Sequence, residues 1–464
     1  GRKCLALSCS LPVFEFVCDY NWDGTFPATL EGKGVKRQSN KIRPIYNYIY
    51  DQIKDYSEEE LSHFLNAVYN AYVIRIDIHD TQEAFDMFER TNARGLDLNV
   101  SDLVKNYLYS DNIQDIDERW MAVVENSNNT LQRMLKYFYI SRHGHVRKKA
   151  LYRNIKSYGR SIGSDVMLDE LSEFSRFYSV TQSFEEEEFA SFLQDLGATG
   201  LAKNESYVGK LMRLLEALKL FKVTQAYPVI FSMLKSYSKS EERDSKKNKI
   251  LFTIFQTIEN YHFINNVIIE KIGNEVEMFY ANIAPEFYRK DFLEISEVFL
   301  EELKSKLSTE EEFVANFALL SYESTPKAFF HYIYDRINNY DLKESQRYSL
   351  FDINSPYIRR NFDIDHILPQ DRKKDDDLDE NTKENIDNIG NLLVISRHSN
   401  SGFQNMSPAD KIEKLKKAEH SGTLVYLKEF ISEYEDALND WNGPKILLRA
   451  KKMGEHGYRE VWRI

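Results

Sequence analysis

The chain has 464 residues, 42% of them hydrophobic and 29% charged, and a formal net charge of −12 at pH 7. This is an ordinary globular composition with room for roughly two to four domains. The acidic balance argues against a protein that coats nucleic acid non-specifically, though not against an enzyme that meets it through a local patch, and no apolar run reaches the ~18–20 residues of a membrane span.

The chain opens on Gly1 rather than Met and shows no secretory pattern, so it reads as a fragment or a processed product. Its three cysteines, Cys4, Cys9 and Cys18, are too sparse for a disulfide framework or a zinc finger and fit a reducing cytoplasm. "KCLALSC" (3–9) and "AYVIRIDI" (71–78) predict strands. Between them, "NKIRPIYNYIYDQI" and "SEEELSHFLNAVYNAY" have helical spacing, the second with an acidic first turn. "DTQEAFDMFERTNARGLDLNVSDLVKNYL" (80–108) predicts a helix broken at Asn92 to Gly95, with Gly95 as a left-handed C-cap. Asn99 or Ser101 then caps a second helix carrying Leu103, Val104 and Leu108. Taken alone, this is a helix-turn-helix with a packing face.

From about Asp115 to about Leu350 helix follows helix, without a fixed-period repeat. The 29 Tyr and 29 Phe suit the cores of such helices. "HGHVRKKALYRNIKSYGR" (143–160) predicts a basic helix with Arg147, Lys148, Lys149, Arg153 and Lys156. It either tracks a phosphate backbone or is a solvated face. "FEEEEF" (184–189) reads as surface, and "YSKSEERDSKKNKI" (237–250) as a loop or hinge. At 307–320 Ser308 and Glu311 have the spacing of a capping box. After Tyr340 short strand-like runs alternate with Asn, Gly and Asp, which marks a new domain.

That domain holds "FDIDHILPQ" (362–370), a charged loop, "IDNIGNLLVIS" (386–396) and "RHSNSGFQNMSPADKIEKLKK" (397–417). The order is strand, loop, strand, short helix, with Ser407-Pro408 opening a further helix. An Asp-His pair is an odd use of strand positions, which favour Val or Thr. The residue set suits phosphodiester hydrolysis. A neutral His is a suitable base at pH 7, worth roughly 10²–10⁴ in rate. Asp365 and Asn400 offer oxygen ligands of the kind Mg²⁺ or Mn²⁺ prefers over Zn²⁺. Asn391 is better placed to tie the loop to the strand through its amide than to touch a metal. Adjacent strand residues point to opposite faces, so Asp365 and His366 share a site only if the backbone kinks, as Pro369 allows. His398 and Asp363 compete for the same roles but read as solvated.

"DIDHILPQ…IGNLLVISRHSN" resembles the HNH (His-Me finger, ββα-metal) nucleases, most of all the C-terminal nuclease domain of GmrSD-type modification-dependent restriction enzymes. The resemblance implies His366 as general base, Asp365 as metal ligand, Asn391 as the loop-fixing middle residue and Asn400 as the final metal ligand. "ILLRAKKMGEHGYREVW" resembles that family's terminal helix. "FERTNARGLDLNVSDLVKNYL" resembles its N-terminal domain, which has a ParB-like fold linked to nucleotide binding or hydrolysis. There Asn92, Arg94 and Lys105 face a phosphate, stabilise the turn or are solvated. The family's Asp-Gly-Gln-Gln-Arg motif does not occur in this chain, which leaves nucleotide hydrolysis open.

The expected fold is α+β and predominantly α-helical. It comprises a partial ParB-like domain over 1–112, a helical domain over 113–340 and an HNH-type nuclease domain over 341–464. The expected function is metal-dependent cleavage of DNA in restriction of foreign DNA in the bacterial cytoplasm. The cofactor is Mg²⁺ or Mn²⁺, with a nucleotide triphosphate in a full-length protein, and the partner is DNA, not a membrane. A homo-oligomer stays open. So do two alternatives: a nucleotide-regulated sensor with an inactive HNH domain, and a nuclease directed at RNA.

Overall fold

A computed structural model describes residues 48–72, 99–111, 113–239, 245–343, 346–351, 361–403, 405–417 and 424–464. The chain divides into two units, 1–79 and 80–464. In the first, α1 (Glu58–Tyr69) opens on a capping box: Ser57 Oγ accepts from the Glu60 N–H, and the Glu60 carboxylate accepts from the Ser57 N–H. The strand expected over 3–9, residues 73–78 of the one expected over 71–78, and the Gly95 C-cap lie outside the described residues.

The second unit is mostly helical. Its α2 (Val100–Tyr109) is capped by Asn99, whose Oδ1 accepts from the Ser101 N–H, and it buries Val104 and Leu108. Here α3 (Ile116–Asn126) packs on α6 (Ser164–Ser183), and α4 (Leu131–His143) on α8 (Tyr227–Ser238). Likewise α5 (Leu151–Ile162) packs on α2 and α6, and α7 (Glu205–Leu220) on α9 (Ser245–His262). Rings fill the seams: Phe174 meets Phe231 edge-on at 4.9 Å and Phe138 at 6.0 Å. Such pairs add roughly 0.5–1.5 kcal/mol each beyond area burial.

Three local expectations shift, the first being that residues 237–238 and 245–250, expected as loop or hinge, belong to α8 and α9. The box expected at Ser308 and Glu311 forms one residue later, from Thr309 and Glu312, at the start of α10 (Glu310–Phe317). The Ser308 N–H is already bonded to Asn265 Oδ1 at 3.0 Å, which holds Ser308 outside the helix. The basic stretch is also not one helix. Lys148–Ala150 form a 3₁₀ turn, and α5 begins only at Leu151.

The C-terminal part is built on one antiparallel pair, β1 (Phe362–His366) and β2 (Leu392–Ser396), in the register Phe362↔Ser396 to His366↔Leu392. Two strands leave β2 with an outer edge, and side chains satisfy it. Leu392 and Val394 are one strand period apart and turn their backbone groups the same way. Tyr334 of α11 (Lys327–Asn339) and Arg449 of α15 (Gly443–His456) donate to the Leu392 carbonyl. Tyr426 of α14 (Val425–Tyr434) donates to the Val394 carbonyl and accepts from its N–H. Among the described residues, buried backbone groups of β2 are thus paired without a third strand. Close approach of α15 requires Gly390, where a Cβ would fall 2.0 Å from the Ile446 carbonyl oxygen. The chain then returns to the helical body, where Trp462 stacks on Phe263 at 4.2 Å.

Candidate active site

β1 carries the Asp-His pair, and its regular pairing extends through His366 before the chain bends at 367–368. The two side chains reach different partners. His366 Nε2 lies 2.8 Å from Asp387 Oδ1. A carboxylate only accepts, so Nε2 carries the hydrogen and the neutral ring keeps its lone pair on Nδ1. Burial pushes the His366 pKa down, although Asp387 pulls the other way, so the ring stays neutral. Asp387 also accepts from Gln370 Nε2 at 2.9 Å and from Lys373 Nζ. Its burial favours the neutral acid, but the Lys373 and His366 hydrogen bonds outweigh that and hold its pKa below the usual carboxylate value. The Tyr322 ring meets the His366 ring edge-on at 4.8 Å, and the Tyr322 N–H bonds the Asp387 carbonyl at 2.7 Å.

Asn391 ends the 3₁₀ turn that enters β2 and is fully buried. Its Nδ2 donates to the carbonyls of Leu368 at 2.9 Å and Ile386 at 2.7 Å. Its Oδ1 accepts from the Leu368 N–H and the Trp441 Nε1–H, both at 2.9 Å. Every hydrogen-bonding position of the amide is used, so Asn391 ties the bend after β1 to the loop before β2 and has nothing left for a substrate.

Asp365 points to α13 (Pro408–Lys417). Lys411 Nζ lies 2.9 Å and 3.1 Å from its two carboxylate oxygens and also donates to the His366 carbonyl. Burial raises the Asp365 pKa and lowers that of Lys411, each against the attraction of its partner. Asp363, two residues before Asp365, shares its strand face. Asn400, on α12 (Arg397–Ser401), donates from Nδ2 to Asp363 at 3.3 Å. Ser396 Oγ caps α12 by accepting the Ser399 N–H at 3.1 Å. A cleft of about 380 Å³ runs beside them, lined by Tyr322, Lys327, His331, Phe362, Asp363 and Asn400. Lys327 Nζ sits 2.7 Å from the centroid of the Tyr322 ring, and burial lowers its pKa. His398 is exposed.

No group of three or more His, Cys, Asp or Glu side chains converges on a metal position among the described residues. Of the two residues expected to hold a metal, Asp365 offers a buried carboxylate and Asn400 an Oδ1 that accepts no hydrogen bond among the described residues. Two hard oxygen donors fit an ion that keeps most of its water, as Mg²⁺ does, and do not fit tetrahedral zinc.

The segment that carries β1, β2, α12 and α13 lies inside a family match. Residues 307–456 match the C-terminal domain of the GmrSD restriction endonucleases, and residues 19–109 match the N-terminal domain of the same enzymes. The chain belongs to the GmrSD restriction endonucleases. No curated protein matches the chain significantly. Membership in the GmrSD family supports a nuclease role in restriction, with DNA as the substrate. No described helix is long and apolar enough to cross a membrane.

Of the other residues singled out in the GmrSD chain, the described ones have their contacts elsewhere. Asn92 and Arg94 lie outside the described residues. Lys105 is exposed on α2, with its Nζ 5.1 Å from the Tyr109 ring on the same helix. Arg147, Lys148, Lys149 and Arg153 are exposed and form no ion pair among the described residues, while Lys156 lies over the Tyr107 and Tyr152 rings. Sequence reasoning missed Asp387 and Lys411. Asp387 left no signal beyond its place four residues before Asn391. Lys411 did leave one: with Pro408, Ile412 and Leu415 it occupies the buried stripe of α13, where a lysine has to find a partner.

Proposed function

We propose that this chain is a metal-dependent DNA endonuclease of the HNH type, acting in restriction of foreign DNA. The observation that carries the reading is the buried His366–Asp387 pair beside an oxygen-donor strand face. On this reading Phe362 to Ser401 is the ββα-metal unit, and the N-terminal match is a ParB-like domain.

His366 takes the proton of the attacking water on Nδ1, and the imidazolium that forms is stabilised through Nε2 by the Asp387 carboxylate. Asn391 keeps β1 and the loop in register during this step. Lys327 lines the cleft beside the strand face, where a cation favours a phosphate. A divalent ion held by Asp365 and Asn400 would polarise the phosphate and offset charge on the leaving oxygen.

The test is nicking of plasmid DNA with and without Mg²⁺ or Mn²⁺. His366→Ala is expected to abolish cleavage with an unchanged circular dichroism spectrum; a near wild-type rate removes His366 as the base. Asp365→Asn and Asn400→Ala are expected to weaken Mn²⁺ binding and cleavage together. Unchanged affinity in both, by calorimetry, removes them as ligands. A panel of duplex DNA, single-stranded DNA and structured RNA checks the substrate, and preference for RNA would displace DNA.

A further inference from the structure

We infer that Lys411 is a built-in counter-ion that competes with the divalent ion for the Asp365 carboxylate, an inference that rests on the metal reading above. Lys411 is 3% exposed, in contrast to Lys414, Lys416 and Lys417 around it on α13. The packing of Ile412 and Leu415 fixes its position, so the ammonium is delivered by the helix rather than by a mobile surface side chain. Its three N–H groups meet three acceptors, namely both Asp365 oxygens and the His366 carbonyl. No other cation bonds Asp365 among the described residues.

A lone carboxylate buried this deeply would either take up a proton or bind whatever cation is available. Lys411 fills that need in the metal-free chain and holds the Asp365 carboxylate in place. A divalent ion arriving at the same oxygens meets a positive charge already bonded to them, which weakens its binding. A DNA phosphate brings the negative charge that offsets both cations. Metal binding is therefore weak on the free protein and is favoured once DNA occupies the cleft.

The experiment measures Mn²⁺ affinity without DNA, by electron paramagnetic resonance, for the wild type, Lys411→Gln, and Lys411→Gln combined with Asp365→Asn. Lys411→Gln is expected to bind Mn²⁺ at least about tenfold tighter than the wild type. The double variant is expected to lose that gain. Equal or weaker binding by Lys411→Gln overturns the inference and makes Lys411 a structural prop. No Mn²⁺ binding by any of the three overturns the metal reading as well, while the role of His366 is judged separately by plasmid nicking. If Lys411→Gln does not fold, the wild type labelled with ¹⁵N-lysine supplies the answer. The Lys411 ammonium signal is expected to shift as Mg²⁺ is added, and a signal that does not move at saturating Mg²⁺ overturns the competition.

Discussion

The Asp387 carboxylate accepts the Nε2–H of His366 at 2.8 Å, across 21 residues of chain. It is itself held by Gln370 and Lys373. The imidazole is therefore oriented by a carboxylate whose own position is fixed, which leaves Nδ1 as the basic nitrogen.

Asp387→Asn removes the charge and permits the wrong tautomer, so cleavage is expected to fall by about 10²–10⁴. The pH profile checks the cause. Burial lowers the His366 pKa and Asp387 raises it, so the wild-type acid limb lies below the ordinary His value. Removing Asp387 takes away the raising influence, and the limb is expected to move to lower pH. A limb that stays in place would show that Asp387 does not act on the titrating group.

Asn391→Leu leaves the Leu368 N–H and carbonyl, the Ile386 carbonyl and the Trp441 N–H without their partner in a buried site. The expected loss is about 2–4 kcal/mol in urea denaturation, together with loss of cleavage. Full stability with lost cleavage would instead mean that the amide touches the reacting groups.

The nuclease end of the chain is a poor electrostatic anchor: residues 359–464 hold 18 Lys and Arg against 20 Asp and Glu. Lys148 and Arg153 are exposed and free of ion pairs among the described residues. Lys148→Glu with Arg153→Glu is expected to weaken DNA binding. It is also expected to flatten the slope of log affinity against log salt by roughly 0.9 for each phosphate that is no longer neutralised. Mn²⁺ affinity should be unaffected. An unchanged slope assigns this surface to solvent.

His262 is fully buried in the helical body, bonded to Asn266 and Tyr280, and burial lowers its pKa to about 4. A depressed pKa means that the folded state resists protonation. Its contribution is complete above the unfolded value near 6.5 and is lost as pH falls toward about 4. The stability difference between wild type and His262→Gln is expected to shrink by about 3 kcal/mol across that window. A difference that is flat with pH would mean that the fold does not depress the His262 pKa.

Much of the local architecture was legible in the sequence because it is written in short-range patterns. Short apolar runs marked strands within 362–370 and 386–396, Ser407-Pro408 marked the start of α13, and the acidic turn after Ser57 marked α1. The spacing of Asp365, His366, Asn391 and Asn400 carried the likeness to the GmrSD family, whose domain models match both ends of the chain. Caps were legible to within a residue, and the slip at Ser308 came from Asn265, 43 residues away, which took its N–H.

Only the tertiary structure decided which groups answer these residues. Asp387 for His366, Lys411 for Asp365 and Trp441 for Asn391 are separated by 21, 46 and 50 residues. Propensity and periodicity act over a turn or a strand: helical spacing puts Lys411 on the apolar stripe of α13, but no spacing rule tells which acceptor it meets there. That choice belongs to packing: burial removes the water that would otherwise satisfy Asp365 and His366, and the fold has to supply the partners.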